Sequence, residues 1–185
     1  MLETMAWLLA GAGAVYALVL SRRSLLRPAS HGFHRLAAFL AILALIPLNI
    51  PHWFHSPFSP RQLVSWALLF GSIYPAVAGV VLLRRRGRPT APEPGSELLA
   101  FERTSVLVTT GIYRFIRHPM YASLLCLAWG VALKSLTPLS IALALVATAA
   151  LVATAKVEEA ENLARFGAAY RDYATRTRRF VPFIL

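Results

Sequence analysis

Five apolar runs, too many and too long to be hidden in one small water-soluble core, constrain this 185-residue chain more than any other feature. They cover roughly 2–20, 36–50, 63–83, 121–133 and 136–155. A helix needs about 20 apolar residues to cross the ~30 Å hydrocarbon layer. The second run closes early on Pro47 and Pro51, and the fourth is too short to span alone unless it begins near Arg117 and His118. Composition agrees with the pattern, since 57% of residues are hydrophobic and only 15% charged. Soluble domains carry about a quarter charged residues. These features exclude a soluble globular domain and predict an all-α integral membrane protein of about five transmembrane helices, one domain over 1–185. The first run lacks a basic leader and a small-residue cleavage site, so it reads as a retained helix.

The net charge of +11 would suggest nucleic acid in a soluble protein, but here the basic residues flank apolar runs. With five spans, 17 of the 19 Lys and Arg fall on one side. Only Arg61 and Lys134 fall on the other. The positive-inside rule then puts the N-terminus outside and the C-terminus in the cytoplasm. It makes 1–83 three N-terminal spans, 84–120 a cytoplasmic linker, 121–155 a helical hairpin and 156–185 a cytoplasmic cap with an amphipathic helix. Pro75 predicts a kink in the third span. Trp53, Phe54 and Phe58 predict an outer aromatic belt. The linker 84–110, with three prolines and two glycines, reads as irregular, with 106–109 able to run extended.

Most side chains able to do chemistry gather in the last third. The stretch Gly111-Ile-Tyr113-Arg114-Phe-Ile-Arg117-His118-Pro119-Met-Tyr121 leads into the fourth run. Pro119 suits the first turn of a helix. His118 then lies near free backbone N–H groups that, with Arg117, can receive a carboxylate or phosphate; an Arg-His pair snorkelling to the interface accounts for the same residues. The second cluster, Glu158, Glu159 and Glu161, stands where the fifth run leaves lipid. At 100° per residue Glu159, Leu163, Phe166, Tyr170 and Tyr173 share one face, and Glu158, Glu161, Arg165 and Asp172 the opposite one. Glu159 is therefore expected on the packed side and Glu158 at an edge or in water; a solvated, ion-paired helix end is the plainer reading. Arg176, Arg178 and Arg179 form a third cluster, which a contact with anionic lipid also explains.

Elsewhere little chemistry is expected. His52 and His55 have no acidic or cysteine partner in their loop, so no metal site is expected. His31 and His34, beside Arg35, read as interfacial, and Cys126 as a small packed residue. No phosphate-binding glycine loop and no aromatic-interleaved basic surface point to nucleic acid.

The sequence LVTTGIYRFIRHPMY, followed by an EE pair, then FGxxYxxY and a basic segment ending in RFVP, resembles the isoprenylcysteine carboxyl methyltransferase and phospholipid methyltransferase superfamily of membrane enzymes. The likeness covers roughly 107–182. It departs from the family at Gly111-Ile112-Tyr113, where Gly-Pro-Tyr is usual, and at Arg176-Thr177-Arg178, where Arg-Val-Pro is usual. The resemblance implies transfer of a methyl group from S-adenosylmethionine to an amphiphilic acceptor that arrives through the bilayer. It implies cofactor binding by Tyr113, Arg117, His118, Pro119, Tyr121, Glu158, Glu159, Tyr170 and Tyr173. It also implies that Arg176 stands near the transferring methyl, and Glu159 is the carboxylate able to take a proton from an amine acceptor. Carboxylate, thiol and amine acceptors all stay open. The expected setting is a prokaryotic cytoplasmic membrane, with the active site facing the cytosol. A membrane reductase using a nicotinamide cofactor and a non-enzymatic binder of anionic lipid are the alternatives.

Overall fold

The computed structural model describes residues 1–22, 24–26, 30–88 and 104–182. Among these are six α-helices and no strand. They are α1 (Leu2–Leu20), α2 (His31–Asn49), α3 (Pro60–Arg86), α4 (Pro119–Ala132), α5 (Pro138–Phe166) and α6 (Ala168–Arg176). Their starts follow capping chemistry. The Ser30 hydroxyl accepts from the Phe33 N–H at 3.2 Å, and the Thr137 hydroxyl from the Ser140 N–H at 3.1 Å. Proline occupies the first turn of α3, α4 and α5, where no amide hydrogen is needed.

Four helices are long and apolar enough to cross a membrane: α1, α2 with the turn that extends it to His52, α3 and α5. The 14 residues of α4 make a rod of about 21 Å, short of the hydrocarbon thickness, as the brevity of the fourth run predicts. It folds back on α5 as a hairpin, tied by the Trp129 indole N–H donating to the Thr148 hydroxyl at 3.1 Å. α3 continues helically through Pro75. The run 106–109 forms no strand, though Val108 is buried. Most of the expected irregular linker, 89–103, lies outside the described residues.

The core consists of two helix pairs, α2 with α5 and α3 with α4, packed together. Small residues set the closeness of the second pair. A Cβ on Gly130 would stand 3.0 Å from the Leu69 side chain, and one on Gly79 would stand 3.2 Å from Pro119 and Met120. α1 rests on α2 and buries none of its residues, as expected of a helix whose surroundings are lipid.

At the end of the bundle away from Glu158, the two isolated basic residues are consumed internally. Arg61 donates to the carbonyls of Leu133 and Lys134 at 3.0 and 2.7 Å. Lys134 is fully buried. Its ammonium donates to the Gln62 amide oxygen at 3.0 Å and lies 3.4 Å from the centroid of the Trp66 ring. Trp53, expected only in an aromatic belt, stands 5.3 Å from the same ammonium. Replacing Gln62 by Ala removes the one side-chain oxygen that accepts from this buried cation. Such a loss costs about 2 kcal/mol, so Gln62→Ala is expected to lower the melting temperature in detergent by roughly 5 °C. An unchanged melting temperature would show that the tryptophan faces alone hold the charge.

Candidate active site

The chain approaches the site through the single 3-10 turn Gly111–Arg114. Gly111 has φ +62°, and a Cβ there would come within 2.6 Å of Leu82, so glycine serves both the turn and the contact with α3. Beyond it, 115–118 lies along the C-terminal segment. The amides of Arg117 and His118 donate to the carbonyls of Arg178 and Arg179 at 2.7 and 3.0 Å, and the Arg178 amide donates to Phe115 at 3.0 Å. This pairing fixes two arginines on one carboxylate. Arg117 Nε donates to Glu159 Oε1 at 2.8 Å. Arg179 donates to Glu159 Oε2 from Nε and Nη2 at 3.0 and 2.7 Å. The remaining reach of Arg117 goes to the carbonyls of Ala174 and Thr177 at 3.0 and 2.5 Å, which holds the end of α6.

His118 is buried between both glutamates, with Nδ1 3.5 Å from Glu158 and Nε2 3.4 Å from Glu159. Nε2 carries no hydrogen bond, so its contact with Glu159 is one of charge. The ring stacks on Tyr121 at 5.5 Å and 12°, and the Tyr121 hydroxyl donates to Glu158. Burial opposes an imidazolium here, but the neighbouring Glu158 and Glu159 carboxylates outweigh it and hold the His118 pKa above its ordinary value.

A cavity of about 190 Å3 opens beside this cluster. α5 contributes Glu158, Glu161, Asn162 and Arg165, α6 contributes Tyr170 and Tyr173, and the entrance segment contributes Tyr113, Arg117 and His118. Pro119 and Tyr121 also line it. The Tyr173 hydroxyl donates to the Tyr113 carbonyl at 2.8 Å, closing the wall. Among the described residues the buried Tyr170 hydroxyl has no hydrogen-bond partner. Burial first, then the Glu159 charge, push its phenol up to about 12, so it stays neutral as a hydrogen-bond donor at physiological pH.

The structure therefore gathers eight of the ten sequence-selected residues around the cavity and assigns the other two elsewhere. Glu159, expected to face inward, spends both oxygens on Arg117 and Arg179 and does not line the cavity. Glu158, expected at an edge or in water, does line it, as does Glu161. A face shared by Glu159 and the tyrosines requires one unbroken helix through Tyr173. α5 instead stops at Gly167, with φ +58°, and α6 starts a new axis, so the tyrosines no longer share phase with Glu159. Arg176 is exposed, paired with Asp172 at 2.7 Å, and lines a different cleft. Glu161, Asn162 and Arg165 were missed as site residues. Their signal was the stripe 158, 161, 162, 165 at helical spacing, whose charged members read as a solvated face. His31, expected at the interface, is buried, and its Nδ1 meets Glu161 at 2.9 Å. Among the described residues no group of three His, Cys, Asp or Glu is placed to hold a metal ion.

A group whose pKa is raised on folding stabilises the fold below its unfolded value, about 6.5 for histidine, and that contribution fades as pH rises through the folded value. The wild type is expected to exceed His118→Gln in melting temperature most at about pH 6, with the gap narrowing by about pH 9. A gap independent of pH would show that His118 is neutral in the folded state.

A family model described as phospholipid methyltransferase matches residues 93–173. No curated protein and no solved structure matches the chain. The matched segment contains the entrance motif, α4, the glutamate pair and all four cavity tyrosines, which are the parts that the structure brings together. Residues 93–173 are thus similar to a phospholipid methyltransferase domain, consistent with the isoprenylcysteine carboxyl methyltransferase and phospholipid methyltransferase superfamily, in a chain with several helices long and apolar enough to cross a membrane.

Proposed function

We propose that this protein transfers a methyl group from S-adenosylmethionine to a lipid-like acceptor at the cytoplasmic face of the membrane, with α4 completing five crossings and the N-terminus outside. The observation that carries this reading is the cavity itself, where acidic, basic and aromatic groups of the matched segment converge in one partly enclosed space. The donor set fits such a cofactor. Glu158 and Glu161 suit an ammonium, Arg165 suits a carboxylate, and the faces of Tyr170 and Tyr173 suit a sulfonium by cation–π attraction. The unpartnered Tyr170 hydroxyl offers a donor for a ribose or carboxylate oxygen.

The cofactor supplies an electrophilic methyl group on its sulfonium. The protein's part is placement and exclusion of water. Tyr113, Tyr170 and Tyr173 wall off one side, while Leu83, Met120 and Phe166 present an apolar side suited to an acyl or isoprenoid chain. For an amine acceptor Glu158 and Glu161 are the cavity carboxylates able to take the proton. Glu159 and Arg117 are positioning residues, since their polar atoms are committed to one another and to the chain.

The test is ligand stabilisation in detergent. S-adenosylhomocysteine is expected to raise the melting temperature of the wild type. Glu158→Gln should weaken its binding by roughly 10–100-fold, the loss of one charge-assisted hydrogen bond. Glu159→Gln should instead lower the ligand-free melting temperature. Stabilisation by NADPH but not by S-adenosylhomocysteine would replace this reading with that of a reductase.

A further inference from the structure

A second cleft lies on the other side of the paired segments, about 200 Å3 in volume and lined by Arg114, Phe115, Thr175, Arg176, Arg178 and Pro182. We infer that it binds the phosphate of an anionic membrane lipid. Three arginines line it, and among the described residues only Arg176 of the three has an acidic partner, Asp172. Among the described residues Arg178 has no side-chain partner, and Arg114 has only the Phe115 ring, 5.7 Å from its guanidinium carbon. Clustered unpaired cations repel one another, and a phosphate held by two arginine forks relieves that repulsion.

The same pairing that builds the active-site cluster builds this cleft. Arg178 and Arg179 are consecutive in an extended segment, so their side chains leave on opposite sides. Arg179 goes to Glu159, and Arg178 goes to the cleft. Likewise Tyr113 and Arg117 line the cavity while Arg114 and Phe115 line the cleft, so one short stretch of chain forms the wall between them. The apolar members select a lipid over free phosphate. Phe115 and Pro182 are exposed, and a headgroup on acyl chains covers them whereas an inorganic ion does not. None of this requires methyl transfer, and the site is read out without cofactor.

Phosphatidylglycerol, phosphatidylcholine and sodium phosphate are added separately to the purified protein in neutral detergent, and the melting temperature is followed. Phosphatidylglycerol is expected to raise it by roughly 3–5 °C over phosphatidylcholine. That increment should vanish in Arg114→Ala/Arg178→Ala and persist in Arg22→Ala/Arg85→Ala, which removes the same charge elsewhere on the exposed surface. Circular dichroism checks that both double variants keep their helix content. Equal effects of the two lipids, survival of the increment in the first double variant, or its loss in both would each overturn the assignment. An equal rise with sodium phosphate would reassign the cleft to a soluble anion.

Discussion

The carboxylate of Glu159, held by Arg117 and Arg179, is the interaction on which the architecture at the cavity end of the bundle depends. It joins three stretches of chain far apart in sequence: the entrance to α4, the end of α5 and the segment after α6. Neither the entrance segment nor the stretch from α6 onward would hold its position alone. The entrance segment has only the four-residue turn Gly111–Arg114, α6 has nine residues, and 177–182 has no regular element. An isolated helix of nine residues is unstable in water. Removing one member of a desolvated ion pair strands the other charge at a cost of about 3–5 kcal/mol. Here Arg117 also bonds two carbonyls, so one guanidinium closes the end of α6 and neutralises the acid together.

This commitment of Glu159 explains why its neighbour can serve a ligand. Adjacent helical residues are about 100° apart, so the two carboxylates face different partners from one turn of α5. His118 stands between them, and Tyr121 fixes one oxygen of Glu158. Glu158 is thereby oriented yet keeps a surface toward the cavity.

The helices were legible in the sequence because apolar runs, capping residues and prolines act locally. The exceptions have local and distant causes. α2 begins five residues before its apolar run, because Ser30 caps it and because His31 finds Glu161, a partner 130 residues away that no periodicity encodes. α5 continues eleven residues past its apolar run, to Phe166, since its charged stripe faces the cavity and the neighbouring basic groups. The identities of the site residues were legible from the motif. Their roles were not, for two reasons. The positive φ of Gly167 changes the helix axis between Glu159 and the tyrosines, and which of two consecutive glutamates meets an arginine is decided by the segment 177–182 docking on 115–118.

The first three helices carry no motif, and the family match begins after them, yet they take part in the site. α3 supplies Leu83 to the cavity wall and accepts a long 3.5 Å hydrogen bond from Tyr113 at the Gly79 carbonyl. The close approach of α3 and α4 at Gly79 is what brings that carbonyl within reach. α2 supplies His31, whose contact with Glu161 supports the acidic wall from behind. Both helices thus act through packing and single polar contacts, which apolar sequence can provide in many ways. That is why a hydropathy pattern can place them in the membrane while leaving their share in the site to the three-dimensional structure.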